Sequence, residues 1–484
     1  MESDIEKLCH LYLPPSLGTA ASDYRRAKAT YLASFSNGSH ERELALNAFT
    51  VQEAHFLSPG RRRAEKLFAT VQFSPENTTI NNLQSLREPM EELTGMLSPC
   101  KCVASDANAR YLLKLGLGSF VRKAVNYFTS RLSTESEHGD QDETAQQERV
   151  VNVVGLILCF NVATLVCTTP ENSADILCED VEFVRATVRC VMDPVVSTAA
   201  VMTLWNCLES YDHQVIVLDA EPHISDLLCF LLVPSDNDLD NERNECILGC
   251  LACLARNLRC FQPMMDEEIP SAMILWIADR ARPMHGYFSC LIVAHLATNW
   301  AALQRFPSHT SPTLGMAVSS QVDIDLSQLP ESLKLGLQAI NTWVTDSVTV
   351  EQLRMETKDY YSWHSLKPVL SLLWSIFLEA RRLASLSLAF ILQGSENRDI
   401  LYGDVSRDCG VLHCAKWSRD EEVKRCCSLA IEHAMVDGIV PSTLFLMCKF
   451  RISEGWSCQQ LSSIVSTSAV RRLLIPFCTK LIET

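Results

Sequence analysis

The run Cys246-x3-Cys250-x2-Cys253 has the residue type and close spacing from which zinc sites are built. A tetrahedral site needs more ligands, and neither a histidine nor a second cysteine pair stands nearby to complete one. The three cysteines instead fall within Ile247-Leu-Gly-Cys-Leu-Ala-Cys-Leu-Ala255 and its lead-in, an apolar stripe at helical spacing. They are read as a helix face with small side chains. Other reaction chemistry is missing as well. The sequence has no Gly-rich phosphate loop, no Gly-x-Ser-x-Gly and no His-Glu-x-x-His. The 12 histidines are scattered, and His295, on another apolar stripe, is expected to be a hydrogen-bonded core residue. Arg61-Arg62-Arg63 is the one basic run, and a solvated loop explains it better than a phosphate grip. No catalytic residue, metal ligand or cofactor is assigned, and the chain is expected not to be an enzyme.

Binding chemistry is easier to find. Ile5, Cys9 and Leu13 follow one another at intervals of four, which places them on one face of a short helix, with Leu8 and Tyr12 alongside. Three apolar side chains so aligned can enter a partner's groove as anchors.

The elements that position these residues repeat. Val201-Met-Thr-Leu-Trp-Asn-Cys-Leu-Glu209, the stripe ending at Ala255, and His285 to Ala297 align on Trp205, Gly249 and Val293, 44 residues apart each time. A period of about 40 to 47 residues marks armadillo or HEAT repeats, whose helices bury their apolar faces against neighbouring repeats. Composition agrees: 47% hydrophobic and 7% aromatic residues, with 17 glycines and 19 prolines in a chain of 484. The expected fold is all-α, an armadillo-like right-handed helical superhelix over 105–484. Before it lie the short N-terminal helix, within 1–17, and a less regular region, 18–104, broken by Ser58-Pro-Gly60 and Ser98-Pro-Cys100. A loop at about 304–330 is longer than a helix connection needs, and Val470 to Ile475 would cap the stack.

A formal charge of −16 argues against nucleic acid, which requires a basic surface. The 21 cysteines form no even, closely spaced framework, and Met1-Glu-Ser-Asp-Ile-Glu6 is acidic where a signal peptide is basic. A reducing cytoplasmic or nuclear location follows. Val150 to Thr169 has no charged residue and is long enough to cross a bilayer, but Asn152 and Asn161 fit a buried repeat helix better.

Three further patterns resemble the Zyg-eleven/Zer-one family, the substrate receptors of cullin-two RING ubiquitin ligases. Leu204-Trp-Asn-Cys-Leu-Glu209 is similar to that family's Leu-Trp-Asn-Leu-Thr-Asp helix. Tyr287-Phe288, followed by Ile292-x-Ala294-His295-Leu296, is similar to its Tyr-Phe…Ile-x-Ala-His-Leu. Trp363-His-Ser-Leu-Lys-Pro-Val-Leu-Ser-Leu-Leu373 resembles its Tyr-Arg-Ser-Phe-x-Pro-Phe-x-Pro-Leu-Leu. The resemblance covers about 190–435, and Ile5-x3-Cys9-x3-Leu13 resembles the family's elongin-C-binding box.

The resemblance implies elongin C and a cullin-two-type ligase as partners, and a protein substrate or degron peptide held on the repeats. It points to Trp205, Asn206, Glu209 and Arg256 as the residues around that peptide. Family members receive a free N-terminal glycine between a Trp-Asn-x-x-Asp helix and an Asn-Asn-Ile-Ala-Glu helix. Here the second helix reads Ala252-Cys-Leu-Ala-Arg256, so both amides are gone and a base replaces the acid. A guanidinium beside an ammonium is repulsive in low dielectric, so weak or absent binding of N-terminal glycine is expected. The family's leucine-rich repeats also have too little room between the box and the repeats here.

Overall fold

The computed structural model describes residues 2–12, 27–28, 30–35, 39–98, 105–135, 143–167, 181–235, 237–305, 326–360, 366–394, 411, 414–415 and 418–434. Their regular structure is helical, with no strand among the described residues. The protein is an all-α helical-repeat chain that divides into two compact units, Met1–Leu254 and Ala255–Thr484. The expected capping helix at 470–475, most of the loop at 304–330, and Leu13 and Trp363 lie outside the described residues.

The first unit opens with α1 (Glu2–Tyr12), α2 (His40–Val71) and α3 (Ile80–Leu97). The Ser39 hydroxyl accepts the Arg42 amide at the start of α2, and Glu41 and Glu43 favour the positive end of the helix dipole. Where the sequence reading expected a break at Ser58-Pro-Gly60, α2 runs on for 32 residues. Packing at both ends accounts for this. Ala45 and Phe49 are buried near its start, and Ala64, Phe68 and Val71 near its end. Tertiary burial of that size outweighs an unfavourable local sequence. Beyond α3 come α4 (Ser105–Lys114), α5 (Leu117–Glu135), α6 (Glu143–Val166), α7 (Val181–Val191), α8 (Ser197–Leu208), α9 (Tyr211–Ala220), α10 (Ile224–Phe230) and α11 (Asp238–Ala255). Helix α6 packs on α5, α3 and α8, and α8 packs on α7 and α9.

The second unit contains α12 (Phe261–Asp266), α13 (Ile269–Ala278), α14 (Pro283–Arg305), α15 (Glu331–Thr345), α16 (Ser347–Tyr360), α17 (Lys367–Leu372), α18 (Leu378–Ile391) and α19 (Glu421–Ala434). Helix α15 packs on α13, α14 and α18, and α18 packs on α19.

The period read from the sequence has a packing counterpart in each unit. A Cβ on Gly249 would fall inside the Trp205 indole, so α11 approaches α8 only because position 249 is glycine. In the second unit, a Cβ on Gly336 would lie 2.6 Å from Val293 Cγ1. A large residue on one repeat therefore faces glycine one period later, 44 residues on in the first unit and 43 in the second. Hydrogen bonds keep a similar step. Thr203 Oγ1 donates to the Phe160 carbonyl (3.2 Å), and Asn299 Nδ2 donates to that of Ala255 (2.8 Å). His433 Nδ1–H donates to the carbonyl of Ala389 at 2.7 Å.

Among the described residues two helices, over Gln146–Val166 and Pro283–Gln304, are long and apolar enough by length and composition to cross a membrane. The second is 83% buried inside the protein and carries buried His285, His295 and Asn299, which fits a core helix.

Candidate functional site

Helix α8 carries two of the four residues that the family resemblance assigns to a substrate, Trp205 and Asn206, and a third, Glu209, caps its C-terminal end. The helix is almost wholly buried, with Ala200, Val201, Leu204, Cys207 and Leu208 in the core. Trp205 is 4% exposed and packs on the α11 backbone at Gly249. Asn206 is 7% exposed, and its Nδ2 donates to the Thr164 carbonyl at 2.9 Å, near the end of α6. Helix-terminal carbonyls lack intrahelical donors, so this bond serves the repeat stack. Glu209 is half-buried at the C-cap of α8, still in helical conformation.

Arg256 stands in the second unit, half-buried in the turn after α11. Its charge reaches His295. Burial first, and the Arg256 guanidinium second, push the His295 imidazole down from its ordinary value to about 3. His295 is therefore neutral at physiological pH. It is a core residue, 2% exposed, as expected. The hydrogen bond expected for it is not found at Nε2, which has no partner among the described residues.

The cysteine run behaves as packing. Cys246, Cys250 and Cys253 are buried, and burial raises the Cys246 and Cys250 thiols well above the usual range. Among the described residues no three His, Cys, Asp or Glu side chains are grouped to hold a metal.

At the N-terminus, α1 forms where the spacing of Ile5 and Cys9 places it, but these residues face inward. Both are 0% exposed and share a cluster with Leu32, Ala45 and Phe49. Leu8, Tyr31, Phe35 and Ala48 pack around it, and the Tyr31 ring meets Phe49 edge-on at 5.7 Å. The sequence shows the stripe but not its cover. Phe49 lies far along the chain, and only the α1–α2 packing brings it to Cys9.

No family model and no curated protein match this sequence. Among solved structures it is similar to an engineered protein of the Northeast Structural Genomics Consortium, at 16% identity over 99% of both chains and a TM-score of 0.36. A second engineered protein from that consortium is similar at 13% identity over 64% of this chain and 98% of its own, with a TM-score of 0.30. A chain of a Kap95:Nup1 complex is similar at 13% identity over 100% of this chain and 58% of its own, with a TM-score of 0.31. Likenesses this distant carry no argument about function.

Proposed function

We propose that this chain is a non-catalytic protein-binding subunit, and that it serves as the substrate receptor of a cullin-two RING ubiquitin ligase. The observation that carries the protein-binding reading is the periodic interlock of Trp205 with Gly249 and of Val293 with Gly336. It belongs to stacked repeats, an architecture that presents extended surfaces to other proteins. The ligase reading rests on the resemblance of α8, α14 and residues 363–373 to the Zyg-eleven/Zer-one family, and of Ile5, Cys9 and Leu13 to its elongin-C-binding box. In this reading Trp205, Asn206, Glu209 and Arg256 contact the degron, and α2 and α3 occupy the part of the chain where the family has leucine-rich repeats.

A second reading keeps the repeat scaffold and drops the ligase. The burial of Ile5 and Cys9 in the protein's own core favours it, because a groove on elongin C reaches them only if α1 turns away from Leu32, Ala45 and Phe49. Co-purification of the full chain with co-expressed elongin C and elongin B decides between the two. A stoichiometric complex supports the receptor. A folded chain that elutes free of elongin C overturns ligase coupling and leaves the scaffold.

A further inference from the structure

Helix α1 rests on an apolar seat that holds together without it. The seat comes from two segments, the helical turn at 30–33 and the first half of α2. Contacts in which α1 takes no part join them. Arg42 on α2 donates from Nη1 to the Leu32 carbonyl at 3.1 Å. The Tyr31 ring meets Phe49 of α2 at 5.7 Å and Phe35 at 5.5 Å, and the Lys28 ammonium stands 5.3 Å from the centre of the Phe49 ring.

The helix itself is lightly held. Ile5 and Cys9 are buried and Leu8 is half-buried, while Asp4, Glu6 and Lys7 are exposed. A free helix shorter than about 12–15 residues is marginal in water. With 11 residues, α1 depends on whatever its apolar face lies against. Ile5 and Cys9 stand one turn apart on that face, and both are spent on Leu32, Ala45 and Phe49.

Under the ligase reading the same two side chains enter elongin C. One face cannot be buried in two places at once, so the seat and the adaptor compete for it. We propose that α1 is an autoinhibitory latch: its Ile5–Cys9 face is held on Leu32, Ala45 and Phe49 in the resting chain, and reaches elongin C only when α1 leaves that seat. The proposal rests on the ligase reading and names a regulation of that same contact. A docked latch lowers the apparent affinity in proportion to the fraction of chains in which it is released. A weaker seat therefore gives tighter binding, the opposite of what damage to a binding site does.

The test titrates the full chain with the elongin B–elongin C heterodimer in a calorimeter. Leu32→Ser and Phe49→Leu alter the seat and leave α1 untouched. Each should tighten binding at least about tenfold, the gain when the released fraction rises from about 1% to about 10%. Ile5→Asp should abolish binding in the wild-type and Phe49→Leu backgrounds, because a charge would enter an apolar groove unpaired. Hydrogen–deuterium exchange on the wild type needs no variant: saturation with the heterodimer should speed amide exchange at 30–35 and 45–50, whose cover has left. Equal affinity of the wild type and both seat variants, binding that survives Ile5→Asp, or unchanged exchange on saturation overturns the latch and leaves ligase coupling standing. No binding by the wild type or by either seat variant overturns the ligase reading, and the latch with it.

Discussion

His295 and Gly249 are the two residues whose surroundings make the sharpest demands. Burial and Arg256 hold the His295 imidazole near 3 in the folded state, against 6.5 for the free side chain. Above 6.5 the imidazole is neutral in both states and adds no pH dependence. Below 6.5 the unfolded chain binds a proton that the folded chain refuses, so stability falls as the pH drops from 6.5 towards 3. The limiting slope is about 1.4 kcal/mol per pH unit. Urea unfolding at pH 7 and pH 5 should show the wild type losing about 2 kcal/mol more than His295→Gln; equal losses would mean that His295 takes up its proton while folded. At Gly249 the indole of Trp205 occupies the space of a Cβ. Gly249→Ala should cost about 1–3 kcal/mol through overpacking, despite the better helix propensity of alanine. In a Trp205→Leu background the same change should be neutral or stabilising, a coupling that a double-mutant cycle measures directly.

Helix α1 shows how an element can match its sequence pattern and still turn the pattern elsewhere. The spacing of Ile5 and Cys9 predicts a helix with one apolar face, and α1 is that helix. The face lies on Leu32, Ala45 and Phe49. Ile5→Ala should therefore destabilise the isolated chain by about 2–4 kcal/mol, as core truncation does. An exposed anchor would change stability by only about 0.5 kcal/mol, so a melt of the purified variant without any partner separates the two situations. Helix α11 makes a similar point about chemistry. Its three cysteines have ligand-like spacing, but Cys246 and Cys250 are buried thiols held protonated by that burial. They should resist maleimide until the protein is unfolded, while the half-buried Cys229 labels in the native state.

At the scale of the whole molecule, the charge at position 256 and the burial of the long apolar helices each set an expected outcome. A peptide with a free N-terminal glycine should bind weakly or not at all in a calorimetric titration, because a base stands at 256 where the family has an acid. Arg256→Glu should improve binding by removing a positive charge, and tight binding by the unmodified protein, lost on acetylating the peptide, would contradict this account of Arg256. Helix α14 is 83% buried, whereas α6, the segment expected to be a buried repeat helix, is 44% buried over Gln146–Val166, with Asn152 in the core but Asn161 exposed. A polar amide on its open side fits a partly covered repeat helix, so alkaline extraction should release the chain into the soluble fraction. Retention in the membrane pellet would reverse that expectation.

The helical class and the repeat period were legible in the sequence because both are local properties. A stripe at 3.6-residue spacing folds into a helix with one apolar face, and Trp205, Gly249 and Val293 mark its recurrence. Small side chains at 249 and 336 follow the same logic once a facing residue is known. What covers each face is a long-range matter, and the tertiary structure alone decided it. Ile5 and Cys9 are buried because Phe49 reaches them, α2 stays intact past Pro59 because both its ends are packed, and the Asn206 amide is engaged because the Thr164 carbonyl lies beside it. A periodic pattern states that a face is apolar or that a donor is present. Packing between distant segments determines whether that face or donor meets a partner or the protein's own core.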